Sequence, residues 1–90
     1  MDYFIIREPK SRGDVATVWN WKRGDWCWDL DGEYTAADGF AYRLAGSAYN
    51  RALSLVQSEK MARLQAPYRE PYQDIRVVKR AELQEIRSRD

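Results

Sequence analysis

Three carboxylates fall within five residues at Asp29-Leu30-Asp31-Gly32-Glu33. That spacing is the nearest this chain comes to a cation-binding loop. A calcium loop needs further oxygen ligands and a glutamate at the twelfth position, and those are missing. With Asp25 and Asp38, residues 22–38 hold five acids against two bases, a net charge of −3. An acidic loop end of this kind is suited to docking against a basic groove in another protein. The chain has a single cysteine, Cys27, and no histidine. Cys/His zinc sites, Ser-His-Asp and Cys-His catalysis and any histidine base are therefore excluded. With no imidazole beside it, Cys27 reads as a structural residue of a strand. No metal or cofactor is expected, and the chain is read as non-enzymatic.

Two further groups have surface chemistry. Tyr42, Tyr49 and Leu53 form a second stripe beside the apolar face of a predicted helix. That stripe is either a candidate partner-binding surface, for another protein or for a second copy in a homodimer, or a face that the Pro67–Tyr72 segment or the C-terminal helix folds back to cover. The C-terminal third is rich in Arg and Lys, with Arg76, Lys79 and Arg80 at its centre. These three are the candidate contacts of an alternative reading, a small nucleic-acid-binding protein. Acids are interspersed among them, and fifteen Lys+Arg against fourteen Asp+Glu give the chain a net charge of +1. No global field draws in a polyanion. The tripeptide Arg-Gly-Asp occurs twice, at Arg12–Asp14 and Arg23–Asp25. Both copies stand where a turn needs glycine and aspartate.

The elements that carry these groups follow from periodicity. Ninety residues make one α+β domain, residues 1–90. Tyr3–Arg7 is aromatic and β-branched and predicts a strand. Val15–Trp21 and Trp26–Leu30 alternate and predict a hairpin. A two-residue turn at Arg23-Gly24 sets Lys22 opposite Asp25, Trp21 opposite Trp26 and Trp19 opposite Trp28. All four tryptophans then share one buried face, and the opposite face is half polar. A helix is predicted from the Thr35 cap to about Gln65, with Phe40, Ala41, Leu44, Ala45, Ala48, Ala52, Leu55 and Val56 as its apolar stripe. Gly39 and Gly46 each weaken that helix by about 1 kcal/mol. Pro67 and Pro71 end it. Asp74–Lys79 reads as a last strand and Arg80–Arg89 as a short charged helix with Leu83 and Ile86 three apart. The order is β-β-β-α-β-α, a two-layer sandwich with an antiparallel β-meander packed on one long helix. The longest apolar runs are a few residues, too short to cross a bilayer, and no secretory signal is visible. A cytoplasmic location is expected.

The meander YFIIREP and VATVWNWKRGDWCWDL, followed by a long helix and a basic strand, resembles small accessory proteins of bacteriophages and mobile elements. Anti-CRISPR inhibitors are among these. The resemblance is one of element order and assigns no residue roles. It implies a stoichiometric inhibitor that binds a host defence complex through surface residues, without chemistry.

Overall fold

A computed structural model describes residues 2–9, 16–27, 34–65 and 72–89. The elements are β1 (Tyr3–Pro9), β2 (Thr17–Asn20), β3 (Asp25–Cys27), α1 (Ala45–Gln65), β4 (Tyr72–Lys79) and α2 (Arg80–Arg89). The α+β class and the order β-β-β-α-β-α are as expected. The four strands form one antiparallel sheet in the order β3-β2-β1-β4. The meander β1-β2-β3 is thus extended by β4 along the free edge of β1. β1 and β4 stay in register from Tyr3↔Lys79 to Glu8↔Asp74, and the register shifts once before Pro9↔Tyr72.

β1 is central, and its side chains show it. Phe4, Ile5 and Ile6 are fully buried and Arg7 nearly so. Burial without alternation means that both faces of the sheet are covered. On one face Ile5, Ile75, Val77, Trp19 and Trp26 meet Ala48, Ala52 and Leu55 of α1. Two alanines four apart let the helix backbone sit close to the sheet. On the other face Phe4, Ile6, Val18 and Val78 meet Leu83 and Ile86 of α2, with Tyr34 and Ala41. The three-residue spacing of Leu83 and Ile86 therefore does mark the buried side of α2. Tyr34 sits edge-on between Phe4 (6.0 Å) and Phe40 (4.7 Å). Each large apolar side chain closed off this way contributes roughly 1.5–3 kcal/mol.

The hairpin differs from its expected register by two residues. Trp19 pairs with Trp26, Val18 with Cys27 and Asn20 with Asp25, so the loop has four residues, Trp21–Gly24. The Trp19 and Trp26 rings meet edge-to-face at 5.3 Å, and Arg7 lies 4.6 Å over the Trp26 ring. A shift of two keeps each strand's faces, so these two indoles still pack beneath the Ala-rich helix. Trp28 lies outside the described residues. Trp21 leaves the strand and is 44% exposed. The expected Trp21–Trp26, Trp19–Trp28 and Lys22–Asp25 pairs are therefore corrected.

Asn20 supplies the reason. Its Oδ1 accepts the backbone N–H groups of Lys22 (3.0 Å) and Arg23 (2.9 Å), and its Nδ2 donates to Asp38 O (2.8 Å). Asn20 O accepts from the Gly24 N–H (2.9 Å), and Gly24 has φ 67°. An asparagine that caps its own turn holds the four-residue loop against the tighter alternative. The second Arg-Gly-Asp copy is thus a turn, and the first lies outside the described residues. Asn20 and Val18 are almost fully buried, more so than Trp19 and Trp26. The face expected to be half polar is the deeper one, because the polar atoms of Asn20 are bonded within the fold.

The long helix begins ten residues later than Thr35. Thr35 does form the expected cap: its Oγ1 accepts from the Asp38 N–H (3.2 Å) and donates to Asp38 Oδ2 (2.7 Å). That turn ends at Gly39, whose φ of 90° cannot continue a right-handed helix. A Cβ at Gly39 would lie 2.5 Å from Asn20 Oδ1. Beyond it the chain runs extended beside the sheet. Gly39 O accepts from the Trp21 N–H, and Tyr42 exchanges both backbone hydrogen bonds with Tyr3, each at 2.8 Å. Phe40 and Ala41 belong to the α2 side of the core rather than to an α1 stripe, and Leu44 is 69% exposed.

Candidate functional site

Where α1 starts, the extended stretch and the Trp21 loop leave an open groove of about 580 Å³. Trp21, Tyr42, Ser47, Asn50, Arg51 and Ser54 line it. A shallower part of about 290 Å³ shares Trp21, Tyr42 and Ser47 and reaches Arg43 and Leu44. Each wall has a local cause. Trp21 is turned out of the hairpin by the Asn20 cap, and its indole N–H donates to Ala41 O (3.2 Å). Tyr42 is held by its bridge to Tyr3. Ser47, Asn50, Arg51 and Ser54 recur three and four apart and form one polar stripe of α1.

The Tyr42 hydroxyl is buried at the groove. Burial pushes the Tyr42 phenol above its ordinary pKa, opposed by the Arg51 guanidinium and the Trp19 indole N–H. The Trp19 N–H faces the Tyr42 hydroxyl, yet neither completes a hydrogen bond of good geometry. Tyr42 therefore stays neutral, and among the described residues Arg51 and Arg43 are the charged ones that line the groove.

The structure separates the expected Tyr42, Tyr49 and Leu53 stripe. Tyr42 precedes α1 and is half-buried in the groove. Tyr49 and Leu53 are on the helix, 58% and 61% exposed. At about 100° per residue they share a flank with Leu64, 78% exposed. The buried stripe of Ala48, Ala52 and Leu55 lies on one side of this flank and the groove stripe on the other. The α1 circumference is thus divided into a core face, a polar groove face and an outer flank where Tyr49, Leu53 and Leu64 share the surface with Gln57 and Lys60.

Of the acidic candidates, Asp25 is exposed and its Oδ1 accepts the Trp26 backbone N–H (2.7 Å). Asp29, Asp31 and Glu33 lie outside the described residues. Among the described residues no three His, Cys, Asp or Glu side chains are grouped to hold a metal ion. Cys27 is a half-buried free thiol in β3.

The basic C-terminal residues are largely occupied within the fold. Arg76 Nη2 lies 2.6 Å from Glu8 Oε1. Arg80 Nη2 donates to Asp2 Oδ2 (2.9 Å) and Tyr34 O (2.8 Å), and its guanidinium lies 5.0 Å over the Phe4 ring. Lys79 is exposed. Two of the three charges proposed for phosphate contact thus already face carboxylates. The Arg80 hydrogen bond chiefly holds the Asp2 carboxyl below its ordinary pKa against the opposing effect of burial, and the Arg80 charge adds to the lowering.

Sequence reasoning missed the groove lining other than Tyr42. Ser47, Asn50, Arg51 and Ser54 look like any solvated helix face, and Trp21 was placed in the sheet. The one signal present was the Asn20–Gly24 span, which reads as a self-capped turn as readily as a strand end. No described helix is long and apolar enough to cross a membrane. No family model matches the chain, no curated protein matches its sequence and no solved structure matches its fold.

Proposed function

We propose that this chain is a non-enzymatic protein-binding module that acts by stoichiometric occupation of a partner. The observation that carries this reading is the outer flank of α1. Tyr49, Leu53 and Leu64 are large apolar side chains, each more than half exposed, on a helix whose other faces are already assigned. Exposed apolar side chains gathered on one rigid helix mark an interaction surface more often than scattered ones do. Tyr49 supplies the type of anchor that dominates interface energies. The acidic residues Asp25, Asp29, Asp31 and Glu33 would raise the association rate and set orientation. The form this takes, following the resemblance of build, is a phage or mobile-element inhibitor that blocks a host complex.

The test is affinity capture from host lysate with the parent and a Tyr49→Asp/Leu53→Asp variant. A partner retained at a fixed ratio by the parent and lost by the variant supports the reading. Unchanged capture by the variant refutes this surface. The ion pairs at Arg76 and Arg80 weigh against the nucleic-acid alternative, and steeply salt-dependent DNA or RNA binding by the purified protein would restore it.

A further inference from the structure

We propose that the groove beside Trp21 is a recognition cleft for an acidic segment of a partner protein, an Asp or Glu next to an apolar side chain. The inference rests on the protein-binding reading and gives it a second, chemically distinct contact.

The lining selects the ligand. Arg51 flanks the main groove and Arg43 its shallow extension, and among the described residues no carboxylate lines either part. Arg51 also has no ion-pair partner among the described residues. Both guanidiniums are exposed, so each is open to a charge-assisted hydrogen bond with a carboxylate. Trp21 and Tyr42 line both parts. Because the Trp21 N–H is already taken by Ala41 O, what the indole offers a ligand is its apolar face. Ser47, Asn50 and Ser54 line the helix wall and provide hydroxyl and amide groups for a peptide backbone. About 580 Å³ holds a few side chains, within the usual range for a small-ligand site.

A nucleic-acid strand fits less well. Phosphate-driven affinity grows with the number of phosphates neutralised. Here two guanidiniums flank a short groove, and Arg76 and Arg80 are matched by Glu8 and Asp2. That arrangement suits one or two carboxylates rather than a phosphate run.

The test is an NMR titration of ¹⁵N-labelled protein, following the Trp21 indole N–H and the amides of Ser47 and Asn50. Three probes are compared: acetyl-Glu-Phe-Glu-Leu-amide, its Lys-for-Glu counterpart, and an octathymidylate. The acidic peptide should shift all three resonances at millimolar concentration and bind roughly tenfold or more tighter than the basic one. Arg51→Glu should reverse that preference, and Trp21→Ala should weaken binding of both peptides. Arg51 is exposed on a helix, so Arg51→Glu should keep the parent circular dichroism spectrum. Equal binding of the two peptides overturns the proposal. So does Arg51→Glu binding the acidic peptide within twofold of the parent, or tighter binding of the octathymidylate. A captured partner that is lost with Tyr49→Asp/Leu53→Asp but kept with Arg51→Glu also overturns it, while the reading of the α1 flank stands.

Discussion

Replacing glycine with alanine at two positions should have opposite effects on stability, although both glycines look alike in the sequence. Gly39 has φ 90°, and a Cβ there would lie 2.5 Å from Asn20 Oδ1 and 2.5 Å from Lys22 Cβ. Left-handed backbone costs a residue with a Cβ roughly 1–2 kcal/mol. The clash adds to that. Asn20 is 2% exposed and cannot swing into solvent, so relief means stretching its bonds to Asp38 O, Lys22 N and Arg23 N. Each such bond contributes about 0.5–1.5 kcal/mol, and overpacking a dense site costs about 1–3 kcal/mol. Gly39→Ala should therefore cost about 2–5 kcal/mol, a large part of the roughly 5–15 kcal/mol that holds a small domain folded. Gly46 lies within α1, and a Cβ there meets nothing within 4 Å. Gly46→Ala should gain about 0.5–1 kcal/mol through helix propensity. Gly24, at φ 67° with open space around it, should fall between, at about 1 kcal/mol of loss from backbone strain alone. Urea denaturation of the three variants, read as a shift of midpoint at constant slope, gives the order directly. A Gly39→Ala loss below about 1 kcal/mol, or one no larger than that of Gly24→Ala, would refute the close approach of the Asn20 turn to residue 39.

Trp19→Ala should cost about 3 kcal/mol and Trp21→Ala about 1 kcal/mol or less, since only the first indole packs against α1; equal losses by chemical denaturation would return Trp21 to the core. The Asp2 carboxyl should titrate below its ordinary value and return toward it in Arg80→Met. Because the folded value is depressed, the stability it brings is present above the ordinary carboxylate range and lost as pH falls through the folded value. An Asp2 side-chain NMR titration identical in parent and variant would contradict the Asp2–Arg80 contact. If the α1 flank pairs two copies, light scattering at micromolar concentration should give a dimer that Tyr49→Asp/Leu53→Asp returns to monomer; a monomeric parent would end the homodimer expectation. On an identified partner, Asp29→Lys with Asp31→Lys should slow association and weaken its salt dependence, whereas Tyr49→Ala should mainly speed dissociation; surface-plasmon kinetics indistinguishable from the parent for both variants would move the interface elsewhere.

Sequence patterns alone determined the element types and their order. Tyr3–Arg7, the alternating tryptophan strands, the Ala-rich helix and the Leu83/Ile86 pair are local signals, since each period reports which residues one element turns toward a neighbour. The absence of histidine and the lone cysteine likewise excluded whole chemistries without reference to any fold. Three things were decided only by tertiary structure. The hairpin register depends on Asn20, whose side chain reaches Asp38 across eighteen residues as well as its own turn. The start of α1 depends on the pairing of Tyr42 with Tyr3, which offers the backbone sheet partners in place of helical ones. The groove exists because both events occur together: the first turns Trp21 outward, and the second holds Tyr42 beside it. Local periodicity leaves a register shift of two invisible, because a strand's faces are unchanged by it. It likewise cannot tell a helix interrupted at a glycine from one that runs through. Long-range hydrogen bonds separate those alternatives, and they form only once the sheet is assembled.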